Sequence, residues 1–253
     1  MFFLRWKCLS FLFLGFTLPP QAAFSCFEEC NSYDGFASFQ NSRQLGFYSQ
    51  ASQDEFVYTI LYGLLDKQDT GYYLEIGAGD PIKTNNSYFF EKNFQWKGVS
   101  IDISNNSQSR WRSIRKNPLL IEDATQSDYA SILQSFPRVI DYLSLDIDGG
   151  YDIALQKIPF NDHVFKIITI EHDFYRLGDI YREKEREILT SLGYFLLCSN
   201  VSYTGLVFED WWVHPTAFSP SLFSVLKSQD FEGKDDKQLI QMIQSKICDW
   251  NSK

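Results

Sequence analysis

Two short stretches carry the side chains best suited to chemistry. Asp146-Ile147-Asp148 closes one apolar run, and Glu171-His172-Asp173 closes another. Two chemistries fit this set. In the first, His172 or Asp146 is a general base that removes a proton from a hydroxyl, and an imidazole with an ordinary pKa of about 6.5 suits neutral pH. In the second, Asp146, Asp148 and Glu171 hold a divalent cation such as Mg2+ that binds and acidifies a substrate hydroxyl, since converging carboxylates repel one another unless compensated. The predicted catalytic residues are therefore His172, Asp146 and Glu171. The bland alternative for His172 is a packing histidine.

A second signal precedes these. Gly77-Ala78-Gly79 follows the apolar run 72–76, with Glu75 and Asp80 on either side. Glycines there let a ligand approach the backbone without Cβ interference. A dinucleotide fingerprint needs a third glycine, and Ile82 stands in its place after Pro81. The acidic neighbours repel phosphates but favour a ligand bearing an ammonium and a sulfonium, as S-adenosylmethionine (SAM) does. Asp102 ends the next strand-like run, where a carboxylate can accept hydrogen bonds from both ribose hydroxyls. Asp123, or the adjoining Ala124 backbone, is placed to meet an adenine amino group. The predicted cofactor set is Glu75, Gly77, Ala78, Gly79, Asp102, Asp123, Ala124 and Asp146. Taken singly, each aspartate could simply cap a helix. Tyr175, Arg176, Tyr181 and Trp211 are candidate acceptor contacts, because aromatics beside carboxylates suit a sugar or polyol face.

Elements that position these residues are legible. Strand-like runs fall at 72–76, 98–103, 119–122, 140–146, 165–171, 194–199 and 206–212. Helix-like runs fall at 86–94, 107–116, 127–136, 151–157 and 181–192. This alternation predicts an α/β fold with a mainly parallel seven-stranded sheet, Rossmann-like, with helices on both faces. The connection 200–205 is too short for a helical crossover, so the final strand is expected to run antiparallel. Ser52 and Glu55 have capping-box spacing before an amphipathic run from Phe56 to Leu65. The basic cluster 110–116 reads as a solvated helix face.

The chain resembles the FkbM-type SAM-dependent methyltransferases, a class I methyltransferase family. The resemblance rests on "YSQASQDEFV", "LEIGAGD", "TNNSYFFEKNFQWKGVSIDI", "DYLSLDIDGG" and "ITIEHD", in that order over roughly residues 48–214. It implies SAM as cofactor and O-methylation of a small-molecule or glycan hydroxyl.

At 253 residues, 44% hydrophobic and 17% aromatic, the chain is long enough to bury one large core. A formal charge of -9 argues against a nucleic-acid partner. Arg5 and Lys7, the apolar run 8–18, Pro19-Pro20 and Ala22-Ala23 have the layout of a secretory signal or anchor over 1–23. Export or membrane anchoring is thus expected, with membrane contact through this segment only and a cytoplasmic location as the alternative. Residues 24–50 read as an irregular lead-in, 51–215 as the methyltransferase domain and 216–253 as a helical extension packed outside it. Cys26, Cys30, Cys198 and Cys248 allow three pairings, with Cys198 expected to be a buried free thiol. Asn85, Asn105 and Asn200 each begin an N-x-S/T sequon. The rival functions are an exported binding protein that keeps the fold and an NAD-dependent oxidoreductase.

Overall fold

The computed structural model describes residues 46–251. The segment 1–23, Cys26, Cys30, most of the lead-in and the Cys248 side chain lie outside the described residues. No helix among the described residues is long and apolar enough to cross a membrane.

Seven strands form one sheet: β1 (Tyr72–Ile76), β2 (Lys97–Asp102), β3 (Leu119–Ile121), β4 (Val139–Leu145), β5 (Val164–Glu171), β6 (Phe195–Tyr203) and β7 (Leu206–Val213). Their spatial order is β3-β2-β1-β4-β5-β7-β6. β1 to β5 pair in parallel. β7 is antiparallel to both β5 and β6, so the last two strands form a hairpin whose second arm slots between β5 and β6. The expected fold class is therefore present. Strand order reverses between β1 and β4, and in an open α/β sheet such a reversal opens a crevice beyond the strand tips.

Side-chain alternation along the strands builds two cores. Leu74, Ile76, Ile101, Leu143, Leu145, Ile168 and Ile170 face one layer. α4 (Tyr129–Leu133), α5 (Tyr151–Lys157) and α7 (Asp179–Ser191) cover it, and the short α6 (Phe174–Leu177) lies between β5 and α7 in sequence. Tyr73, Tyr142, Ile167 and Trp211 face the opposite layer, under α1 (Gln53–Tyr58) and α2 (Tyr88–Phe94). α3 (Gln108–Ile114) lies between β2 and β3 in sequence. Two last helices, α8 (Pro220–Lys227) and α9 (Asp236–Asn251), belong to the same layer as α1. Leu222, Leu226, Leu239, Ile240, Ile243 and Ile247 are buried there, each contributing roughly 1.5–3 kcal/mol. The C-terminal segment is thus part of the core and not an outer extension.

Two local expectations change. Ser52 makes no side-chain cap on α1; its backbone is left-handed (φ 62°), and its hydroxyl donates to Asp236 of α9. The α1 run then widens into a π-helical turn over Thr59–Leu64. Arg115 is the second case. The 110–116 cluster is not uniformly solvated: the Arg115 side chain is 0% exposed and forms the hub of a buried network described below.

Candidate functional site

A cleft of about 420 Å³ opens at the tips of β1, β2, β3 and β4. Gly77, Gly79, Asp102, Asp123, Ala124 and Asp146 line it, together with Ile101, Ile103 and Ile147. Gly77 is required by geometry, since a Cβ there would meet the Asp146 carbonyl oxygen at 1.6 Å and its φ is +87°. Asp102 steadies the turn: Oδ2 accepts from the Gly79 amide (2.7 Å) and Oδ1 from the Ser104 amide (2.7 Å). A carboxylate has about four acceptor positions, so two stay available for a ligand. Asp123 is fully exposed, and bonds from the Thr125 hydroxyl and amide hold its carboxyl below the usual range. Ile103 is 73% exposed beside Asp102 and gives the cleft an apolar wall.

The amides that a dinucleotide phosphate would need are already used. Asp80 Oδ1 accepts from the Ile82 and Lys83 amides at 2.9 and 2.8 Å, and Arg110 pairs with its second oxygen.

Glu75 and Ala78 do not line this cleft; both are buried. Glu75 accepts from the hydroxyls of Ser100 (2.7 Å) and Ser87 (2.8 Å) and from the Asn86 and Ser87 amides (both 3.1 Å). Asn85 Nδ2 donates to Glu75 and to the Ala78 carbonyl. Arg115 closes the network. Its guanidinium donates to Glu91 (2.7 Å), Asn85 (3.0 Å), Tyr73 (2.9 Å), Ser87 (2.8 Å) and the Pro81 carbonyl (3.2 Å). The group stacks 4.3 Å from the Trp111 ring. Sequence reasoning missed this residue, because Arg115 leaves the helix in an extended conformation just after Ile114 and its partners come from distant segments.

The far end of the cleft is acidic. Asp146 and Glu171 are half-buried neighbours joined by a hydrogen bond, and two adjacent carboxyls can bond only if one keeps its proton. Burial raises both pKa values; the Asp146 bond and charge and the Asp173 charge push Glu171 up further, whereas for Asp146 the Glu171 bond pulls the other way against the charges of Asp173 and Asp148. Asp173 accepts from the Tyr151 hydroxyl at 3.4 Å and pairs with Arg176. Tyr181 packs edge-on against Tyr151, and its hydroxyl would lie 3.1 Å from a Cβ on Gly149, a lining residue. Tyr175 is 46% exposed above this corner.

The structure does not gather the expected cation ligands. Asp148 is 94% exposed and turns to Arg176 (3.1 Å), away from the half-buried Asp146–Glu171 pair. Among the described residues, the trio whose ligand atoms come within 4.8 Å of one another is His172, Glu185 and Asp210. His172 is itself 0% exposed, so its ring cannot touch a substrate. Trp211 is likewise sealed in the core, stacked on Phe56 at 4.4 Å with Nε1 donating to Glu209.

No family model matches the chain, and no curated protein matches it in sequence. Solved structures with a similar fold include the N-methyltransferase NodS from Bradyrhizobium japonicum WM9 (14% identity, TM-score 0.41, 64% of this chain and 95% of that one). Fibrillarin from Aeropyrum pernix, with natively bound S-adenosyl-L-methionine, is another (13% identity, TM-score 0.40, 65% of this chain and 76% of that one). At these values the likenesses decide nothing about activity.

Proposed function

We propose that the protein is a SAM-dependent methyltransferase acting on a hydroxyl of a small molecule or glycan. The observation that carries this reading is the placement of Asp102 and Asp123 at adjacent strand tips, on one cleft with the Gly77–Gly79 turn and Asp146. The donor set fits the cofactor. Asp102 offers its free lone pairs to ribose hydroxyls, Asp123 and Ala124 meet the adenine edge, and Ile103 packs its face. The glycine turn admits the methionine portion, and Asp146 supplies negative charge for its cationic end. When bound, SAM supplies an electrophilic methyl group on a sulfonium.

The protein's own work is to orient the acceptor and handle one proton. The acceptor oxygen gains the methyl group and gives up its proton, which the Asp146–Glu171 pair receives in its ionised state. His172 is excluded as that base by its burial. Tyr175, Tyr181 and Arg176 form the wall against which a hydroxylated acceptor rests, with Tyr151 buried behind them.

Isothermal titration with SAM and with S-adenosylhomocysteine tests the reading. Binding of both is expected. A chain that binds neither, even at millimolar ligand, is a binding protein that has kept the fold. A thermal shift with NAD and none with SAM makes it an oxidoreductase, against the occupied amides of Ile82 and Lys83.

A further inference from the structure

Behind the β5 tip, away from the cleft lining, lie three fully buried ionisable side chains: His172, Asp210 of β7 and Glu185 of α7. Asp210 is well satisfied. Arg186 grips its two oxygens at 2.6 and 2.9 Å, and the Asn200 amide donates to Oδ1 at 2.7 Å. Arg182 and Arg186 both donate to the Asn200 side chain. By contrast, His172 Nε2 and both Glu185 oxygens have no hydrogen-bond partner. Buried polar atoms left so require an explanation.

The spacing would suit a cation, but the imidazole would not. The Phe174 amide donates to His172 Nδ1 at 3.2 Å, so Nδ1 presents its lone pair. A neutral ring then carries its proton on Nε2, which has no lone pair left for a metal. That N–H is aimed at Asp210 Oδ1, 3.6 Å away. Glu185 is in a different position: burial and then the neighbouring Asp210 charge push its carboxyl well above the usual carboxylate range, against the weaker opposing pull of Arg186 and Arg182.

We propose that His172, backed by Asp210 and Glu185, is a clamp that fixes the Glu171–Asp173 turn, making His172 a positioning residue for the acceptor end of the site. Its functional half rests on the methyltransferase reading. The residue is bonded at two points, its backbone amide donating to the Phe208 carbonyl (3.2 Å) and Nδ1 accepting from the Phe174 amide, while Nε2 faces Asp210 at 3.6 Å. With residue 172 pinned, Glu171 is turned to Asp146. Asp173 is held in the left-handed region (φ +51°), from which its carboxylate reaches Tyr151 and Arg176. A non-glycine residue stays there only where its surroundings dictate it.

The test begins with side-chain 15N spectra of the whole chain without cofactor. A His172 signal protonated at Nε2 and unmoved by added Zn2+ or Mg2+ is expected. Glu185→Gln should keep that signal and, at about pH 4, the unfolding midpoint, because there an amide replaces a carboxyl that is protonated in the folded and in most of the unfolded chain without changing charge. His172→Gln should keep S-adenosylhomocysteine affinity while the preference for SAM over it drops about tenfold, as Glu171 and Asp146 lose register with the sulfonium. A proton on Nδ1, a metal-induced shift that Glu185→Gln abolishes, or collapse of the Glu185→Gln fold each overturns the clamp. An unchanged SAM preference in folded His172→Gln overturns the positioning role. Should His172→Gln not fold, the spectra and the Glu185→Gln result decide. Failure of the unaltered chain to bind either ligand sinks the methyltransferase reading alone, since the spectra stand without it.

Discussion

Two buried polar clusters sit at the strand tips, on either side of the β1–β4 crevice, and they are built on opposite principles. Around Arg115, a guanidinium bonds the buried Glu91 directly and reaches the buried Glu75 through Ser87 and Asn85. Around His172, cations are spent on Asp210, Asp148 and Asp173, and Glu185 and the Asp146–Glu171 pair are left to keep protons. The difference separates two tasks. Pairing a charge with fixed donors makes a wall that does not move, which suits the loop beside a cofactor. Leaving a buried carboxyl without a cation raises its proton affinity, which suits the end of a site where a proton is exchanged.

The largest expected effect breaks the satisfied side. Arg115→Met strands Glu91 and Glu75 without their counter-charge and should cost about 3–5 kcal/mol of stability, read by urea denaturation. A loss below about 1 kcal/mol would show that the network is not held by its charge. Next comes the seam between the clusters. Gly77→Ala sets a Cβ against the Asp146 carbonyl at a positive φ; about 3 kcal/mol of destabilisation and loss of S-adenosylhomocysteine binding are expected. Asp102→Ala should weaken SAM and S-adenosylhomocysteine equally, by about 1–3 kcal/mol in titration calorimetry. Unequal losses would place Asp102 near the sulfonium and not the ribose.

The smallest effect sharpens the proton-keeping side. Glu185, Glu209 and Glu171 all have folded pKa values raised above their unfolded ones, chiefly by burial. The folded chain therefore holds protons that the unfolded chain has released above about pH 4.5, and stability falls as pH rises from there. Glu185 faces Asp210 on β7 and Arg182 and Arg186 on its own helix. Glu185→Gln should flatten the decline between about pH 5 and pH 8 by up to about 1.4 kcal/mol per pH unit. An unaltered slope would mean that Glu185 is ionised in the folded chain.

The sequence shows the scaffold better than the chemistry. β1 was legible to the residue, because an apolar run ended at a Gly-x-Gly turn, and β7 was legible as antiparallel from its short connection alone. Asp102 and Asp123 could be placed because strand ends of a parallel sheet share one rim. Glu75 could not, since Ser87, Ser100 and Asn85 reach it from three separate segments. Trp211 was misjudged for a related reason. Only the insertion of β7 beside β5 decides which of Asp210, Trp211 and Trp212 faces which layer. The capping-box spacing at Ser52 yielded to a distant partner, Asp236, which no local pattern announces.

Asn85 begins a glycosylation sequon, yet its amide nitrogen is inside the protein, bonded to Glu75 and to the Ala78 carbonyl. A sugar attached there during synthesis would lock the chain out of its native state, because neither the glycan nor the vacated acceptors could be accommodated. Production in a host that decorates nascent chains would therefore split the yield into unmodified, folded molecules and modified, discarded ones, and Asn85→Gln would offer no rescue because it removes the same two bonds.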